Sequence, residues 1–276
     1  MTAYETLLTE VADGVATIWL NRPEQRNAFN LVMLEELHRA FAVFEADDNV
    51  RAIVVTGAGG FFSVGSDLGG GKQTLSKTSN RTDKHSDEAL EPWIKPWDMR
   101  TPIIAAINGS AVGVGLTLPM TWDIRIAAID ARCGFVFNRR GVIPEWGSLW
   151  LVPRLVGLAG CFDLILSGRL FDGQQALARG LVTESLAAED VLPAAQSLAR
   201  EIAVTTSPIS VGVTKRAVYQ FLTEPDRDVA YERELKMFMW MTQQPDAVEG
   251  VQAFLEKRAP VWSSSKSGEH PPGICS

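Results

Sequence analysis

The stretch Ile103-Ile104-Ala105-Ala106-Ile107-Asn108-Gly109-Ser110-Ala111-Val112-Gly113-Val114-Gly115-Leu116-Thr117 decides how the chain is read. Five apolar residues opened by Pro102 and closed by Asn108-Gly109 predict a buried strand, and the small residues after it let backbone come close to a ligand. The apolar run Leu116 to Trp122 predicts a helix. Amides near Val114 would then lie free at its start, where an anion or an oxyanion can be held. A dinucleotide fingerprint needs a third glycine where Leu118 stands, and a phosphate loop needs a following Lys-Ser/Thr that is absent. Both nucleotide readings weaken, while tight packing of helix on strand remains an equally economical use of these glycines.

Working outward, Ala52 to Val55 is a second short apolar run, and Gly59-Gly60-Phe61-Phe62-Ser63-Val64-Gly65-Ser66-Asp67-Leu68 a second small-residue turn, with Asp67 placed to cap a following helix. Between the N-terminus and that strand, residues 4 to 20 alternate around Asp13-Gly14 as a hairpin. Leu31, Leu34, Leu37, Phe41 and Phe44 then recur at helical spacing behind an Asn30 cap. Hairpin, helix and strand open an α/β layout. Residues 69 to 86 have the composition of a mobile surface segment, with His85 in it as a loop acid/base candidate. Trp93 and Trp97 read as packing or pocket wall on a helix. Asp123 to Ala128 reads as a further strand, Asn138 to Gly147 as a loop that brings Glu145 to a helix start, and Leu181-Val182-Thr183 as a last small strand. From Pro208 to about Ala259 the pattern is helical, with breaks at Pro225 and Pro245, and the tail from Ser263 to Ser276 has the composition of disorder.

The chain is 276 residues long, 46% hydrophobic and 21% charged, enough for a sizeable core. No uninterrupted apolar run reaches the ~18 residues of a membrane span, and the N-terminal residues lack a signal-peptide pattern, so a cytoplasmic location without membrane contact is expected. A net charge of −7 without clustered Lys and Arg argues against nucleic acid as a partner. Cys133, Cys161 and Cys275 are odd in number and widely spaced, which offers neither a disulfide framework nor a metal site. A serine hydrolase is poorly supported, because Ser63 lacks the first glycine of a nucleophile elbow.

Six motifs stand in order along the chain: Leu20-Asn21-Arg22-Pro23 with Arg26-Asn27-Ala28; Phe62-Ser63-Val64-Gly65-Ser66-Asp67-Leu68; Ala105-Ala106-Ile107-Asn108-Gly109; Asp123-Ile124-Arg125-Ile126-Ala127; Leu151-Val152-Pro153-Arg154-Leu155-Val156-Gly157; and Ala253-Phe254-Leu255-Glu256-Lys257-Arg258. Together they resemble the crotonase superfamily, the enoyl-CoA hydratase/isomerase family. The resemblance implies an α/β spiral of ββα repeats over residues 1–200, a helical trimerisation region over 201–260 and a tail over 261–276. It also implies homotrimers or dimers of trimers and an acyl-CoA thioester as ligand, with coenzyme A entering as part of the substrate and no separate cofactor or metal. It places oxyanion-hole amides at Ser66 and Val114, and coenzyme A contacts at Arg22, Arg26, Ala28, Ser63, Val64 and Lys257. The two glutamates of the family's hydratases fall on Thr117 and Phe137, neither of which moves a proton usefully. The single carboxylate of its isomerases falls on Glu145. The expected chemistry is therefore β,γ to α,β isomerisation of an enoyl-CoA with Glu145 as base; water addition is the near rival, and a non-catalytic acyl-CoA binder the distant one.

Overall fold

The computed structural model describes residues 4–69 and 93–274, so His85, Cys275 and most of the expected mobile segment lie outside the described residues. The hairpin forms as read. Strands β1 (Leu7–Ala12) and β2 (Val15–Leu20) pair antiparallel from Leu7↔Leu20 to Ala12↔Val15. Asp13 and Gly14 sit between them at φ 50 and 77, the left-handed pair that a two-residue turn requires. Helix α1 (Leu31–Ala46) starts where Asn30 accepts the Met33 amide at 2.9 Å, and it buries Met33, Leu37, Ala40, Phe41 and Phe44. Next come β3 (Ala52–Gly57), β4 (Ile103–Ile107), the two-residue β5 (Ala111–Val112), helix α2 (Val114–Met120), β6 (Ile124–Ala128) and the two-residue β7 (Cys133–Gly134). Helices α3 (Ser148–Ser167) and α4 (Gly173–Ala178) lead to β8 (Glu184–Leu186), and α5 (Ala188–Thr205) comes after it.

The large sheet runs β1-β2-β3-β4-β6-β8, parallel from β2 onward. Every residue of β3 and β4 is buried, as expected of parallel strands covered on both faces. Helix α5 lies on this sheet with Val191, Ala195, Ala199 and Ala203, a four-residue spacing whose alanines permit close approach. After each of β3, β4 and β6 the chain gives a second extended piece to a smaller ladder. Bridges Phe29↔Ser66, Ser63↔Ala111 and Cys133↔Phe171 join the β5–β7 pair into one run. One strand to each ladder per turn makes this the crotonase spiral of ββα repeats.

Helix α3 is long and apolar enough to cross a membrane by length and composition. Its backbone leaves helical geometry at Gly157 (φ 72, ψ 166), so it is two shorter helices, and it packs Val152, Cys161, Leu164 and Ile165 into the core. Helices α6 (Pro208–Phe221), α7 (Arg227–Met241) and α8 (Pro245–Glu256) complete the regular structure of the described residues, with Pro225 and Pro245 at the expected breaks. The Cys133 and Cys161 thiols are free and buried, and burial pushes that of Cys133 up to about 12.

Four expectations are corrected. The tail is not disordered through residue 274: Lys266 is 2% exposed and donates to Phe44 O, Val50 O and Thr101 Oγ1 at 2.7, 2.6 and 2.8 Å. A composition average cannot anticipate one side chain that satisfies all three of its donors. Trp93 and Trp97 share no α-helix, because Pro96 holds Lys95 extended and opens only a 3-10 turn, Pro96–Asp98. Asp67 caps no helix among the described residues; it binds the Arg22 guanidinium at 2.9 Å and the Gly69 amide at 2.9 Å. The last strand begins at Glu184, because Thr183 spends its amide on Arg125 O at 2.8 Å in approaching the sheet.

The end of β3 is closed by Asn108, whose side chain accepts from Gly57 N at 3.2 Å and donates to Gly57 O at 2.8 Å in place of a backbone partner. A Cβ on Gly57 would lie 1.8 Å from Phe61 O. Gly57→Ala should therefore destabilise the fold by about 2 kcal/mol or more, read as a lower urea midpoint at unchanged slope.

Candidate active site

Two glycine-rich turns meet by backbone pairing. Ser63 N donates to Ser110 O at 2.9 Å and Val112 N to Ser63 O at 3.0 Å, so the turn after β3 runs beside the turn after β4. Gly65, at φ 103, brings its Cα so near Val112 that a Cβ would stand 2.8 Å from the carbonyl oxygen. On the other edge, Phe29 N donates to Gly65 O and Asp67 N to Phe29 O, both at 2.8 Å. Those two bonds flank Ser66, and in a parallel bridge the flanked residue turns its own N–H away. Val114 is the first residue of α2, where an amide has no acceptor within the helix. Among the described residues neither amide is taken by another group, so both are free to hold an oxyanion. Gly115 serves packing: a Cβ there would meet Ser63 O at 2.4 Å.

Glu145 lies on the turn before α3. Its carbonyl is pinned by Ser148, whose amide and hydroxyl donate to it at 3.1 and 2.6 Å. Its carboxylate has no hydrogen-bond or ion-pair partner among the described residues. The residue keeps an exposed surface, yet the protein packed around its carboxyl raises the pKa by desolvation alone. A carboxylate with a raised pKa and no partner is chemically able to take and return a proton.

An aromatic stack holds this turn. Trp146 adopts φ 57, a conformation that bulky residues rarely take, and its ring lies on Trp93 at 5.0 Å and 9°. His38 of α1 completes the stack, 4.3 Å from Trp93 and 5.7 Å from Trp146. Burial pushes His38 down to about 4, and apart from the nearby Ile94 backbone its ring nitrogens have no partner. It is thus neutral at pH 7 and packs as an aromatic ring. Sequence reading passed over His38, since nothing in the spacing of α1 joins it to residues 55 and 108 positions away.

The loop of residues 22 to 28 is built onto the same turns. Arg22 donates to Ala28 O at 2.5 Å as well as to Asp67. Asn27, at φ 55, donates to Ala58 O and Phe61 O at 2.8 and 2.7 Å. Arg26 lies exposed over the Phe61 ring at 5.5 Å, and its carbonyl accepts the Val64 amide at 3.2 Å. Two expected coenzyme A contacts fit this geometry less well. Ser63 is fully buried, with both backbone groups spent in the ladder, so it presents nothing to a ligand. Lys257 stands exposed at the left-handed end of α8 (φ 53), and no contact among the described residues joins it to residues 22–28.

The family model described as enoyl-CoA hydratase/isomerase matches residues 10–265. The chain belongs to that family. It is a crotonase-type enzyme. An enoyl-CoA hydratase of Alternaria alternata is 39% identical over 262 residues, 94% of this chain and 87% of its own length. The 1,2-epoxyphenylacetyl-CoA isomerase of Escherichia coli K12 is 35% identical over 262 residues, covering 93% of this chain and 97% of its own length. Among solved structures, an enoyl-CoA hydratase from Bacillus anthracis superposes with a TM-score of 0.82 at 30% identity, over 94% of this chain and 99% of the other.

The resemblance sets the two carboxylates of hydratases against Thr117 and Phe137. Thr117 is wholly buried with its hydroxyl unpartnered, and Phe137 is 9% exposed. Neither side chain is a carboxylate.

The raised pKa of Glu145 has a stability consequence with a definite sign. Its burial costs nothing below the ordinary Glu value, where the carboxyl is protonated folded or unfolded, and costs fully above the raised folded value. Glu145→Gln should therefore raise Tm at pH 7 to 8 and leave it unchanged near pH 3. A Tm gain that is equal at both ends would show that the carboxyl is not desolvated.

Proposed function

We propose that this enzyme isomerises unsaturated acyl-CoA thioesters, moving a double bond from the β,γ to the α,β position. Glu145 takes the α-proton, the Ser66 and Val114 amides hold the dienolate oxygen, and the same carboxyl returns the proton at the γ-carbon. No water enters and the atoms balance with one proton moved. The observation that carries the reading is the unpartnered, desolvated carboxylate at Glu145, set against Thr117 and Phe137 where a hydratase needs acids. Arg22, Arg26, Ala28 and Val64 are assigned to the nucleotide end, with coenzyme A arriving as part of the substrate. Lys257 is assigned to the same end. Apolar Tyr231, Leu235, Phe238, Val251 and Phe254 lie exposed on α7 and α8, which supports self-association as a homotrimer or dimer of trimers, whose mass light scattering would measure.

The names of several relatives favour water addition as the second reading. A panel of β,γ- and α,β-enoyl-CoA esters, with products resolved by mass and double-bond position, separates the two. Isomerisation should run faster than hydration, and Glu145→Gln should lower it by ~100-fold or more with coenzyme A ester affinity kept. Hydration at an equal or greater rate would overturn the isomerase reading.

The oxyanion assignment makes a contrasting pair. Ser66→Ala should stay within several-fold of wild type, because its amide remains. Ser66→Pro removes the donor and should cost ~100-fold or more in kcat. A near-total loss in Ser66→Ala, with folding intact, would make the hydroxyl the chemical group instead.

A further inference from the structure

The family match ends at residue 265, yet residues 266–274 are built into the protein. The buried Lys266 ammonium fixes the chain to the ends of α1 and β4 through Phe44 O, Val50 O and Thr101 Oγ1. Upstream, the amides of Ser263 and Ser264 donate to Asp246 at 2.9 and 3.1 Å. Downstream, Ser267 N donates to Asp48 at 3.1 Å, and Gln220 of α6 donates to Gly273 O at 3.0 Å. Residues 266 to 274 are therefore a strap tied at both ends.

Its last described residue, Ile274, faces a cleft of about 490 Å³ walled by Trp97, Gly147, Trp150, Tyr219 and Thr223. The wall surface is mostly apolar, with Asp98, Arg216 and Gln220 also lining it, and the volume falls within the ~300–1,000 Å³ of small-molecule sites. Gly147 lies two residues after Glu145 on the same turn, a span of at most ~7 Å. The Trp97 ring would touch a Cβ placed on Gly147, at 3.6 Å. The cleft thus borders the turn that carries the proposed base.

We propose that this cleft receives the end of the acyl chain remote from the thioester, and that the strap makes Ile274 the residue that sets how long an acyl group is accepted. The inference rests on the thioester reading above. It assigns a specificity role to a segment outside the family match, and it makes the substrate a medium-length or long apolar acyl group rather than a four-carbon one.

The test measures Kd for saturated butyryl-, octanoyl- and dodecanoyl-CoA by tryptophan quenching, and kcat/KM for the matching enoyl esters. Each buried methylene is worth about fourfold, so dodecanoyl-CoA should bind at least tenfold tighter than butyryl-CoA. Ile274→Trp, which narrows the cleft, should reduce that gain at least threefold and leave butyryl-CoA within twofold. Ile274→Ala should move the preference toward longer chains. A chain-length gain that persists unaltered in both variants, or no gain in wild type, overturns the inference while leaving the thioester reading intact. Failure of every coenzyme A ester to bind, whatever its chain, removes that reading and this inference with it.

Discussion

The close approach of Gly65 to the Val112 carbonyl is the constraint on which the site depends. With room for a Cβ, the two turns could separate, and the amides of Ser66 and Val114 would no longer belong to one geometry. Three further bonds hold the approach: Ser63 to Ser110 and Val112, and Phe29 to Gly65. All are backbone bonds, so the donor pair is set by the spiral itself. That is a usual condition for electrostatic stabilisation without reorganisation, since donors already fixed cost nothing to orient when charge develops.

A second constraint lies beneath the start of β4. Thr101 donates its amide and hydroxyl to Glu45 at 3.0 and 2.7 Å and gives its carbonyl to Lys215 at 2.9 Å. Lys215 also pairs with Asp123 at 2.7 Å, and the same carboxylate oxygen accepts the Ile103 amide at 2.7 Å. One residue therefore joins α1, β4, α6 and, through Lys266, the C-terminal strap. Buried charges that are all paired contribute little net stability, but losing one partner strands the others. The node thus fixes register at the strand that feeds the Val114 turn.

Legibility in the sequence tracked the range of the interactions. The hairpin, the Asn30 cap, the buried runs of β3 and β4 and the two glycine turns are local, with turn chemistry and periodicity lying within a few residues. The spiral itself needed the six-motif resemblance, because the ladder joining Ser63, Ala111, Cys133 and Phe171 spans more than a hundred positions. Glu145 could be singled out as a carboxylate at a helix start, but its desolvation depends on packing that no local pattern contains. The His38–Trp93–Trp146 stack and the Lys266 anchor were illegible for the same reason. Each is a side chain meeting elements far away in the chain, and for Lys266 the surrounding composition argued the opposite.

The bonds from residues 22–28 to the turn at Ser66 have a consequence of scale. Asn27 is tied to Ala58 and Phe61, Arg26 to Val64, and Phe29 to Gly65. Under the proposed chemistry, the place that grips the nucleotide and the place that grips the carbonyl are then two marks on one ruler. A ligand whose arm between those groups is shorter or longer by a single unit would seat at one mark and miss the other. Discrimination of that kind needs no contact with the arm itself, so the surface between the two marks is free to be featureless.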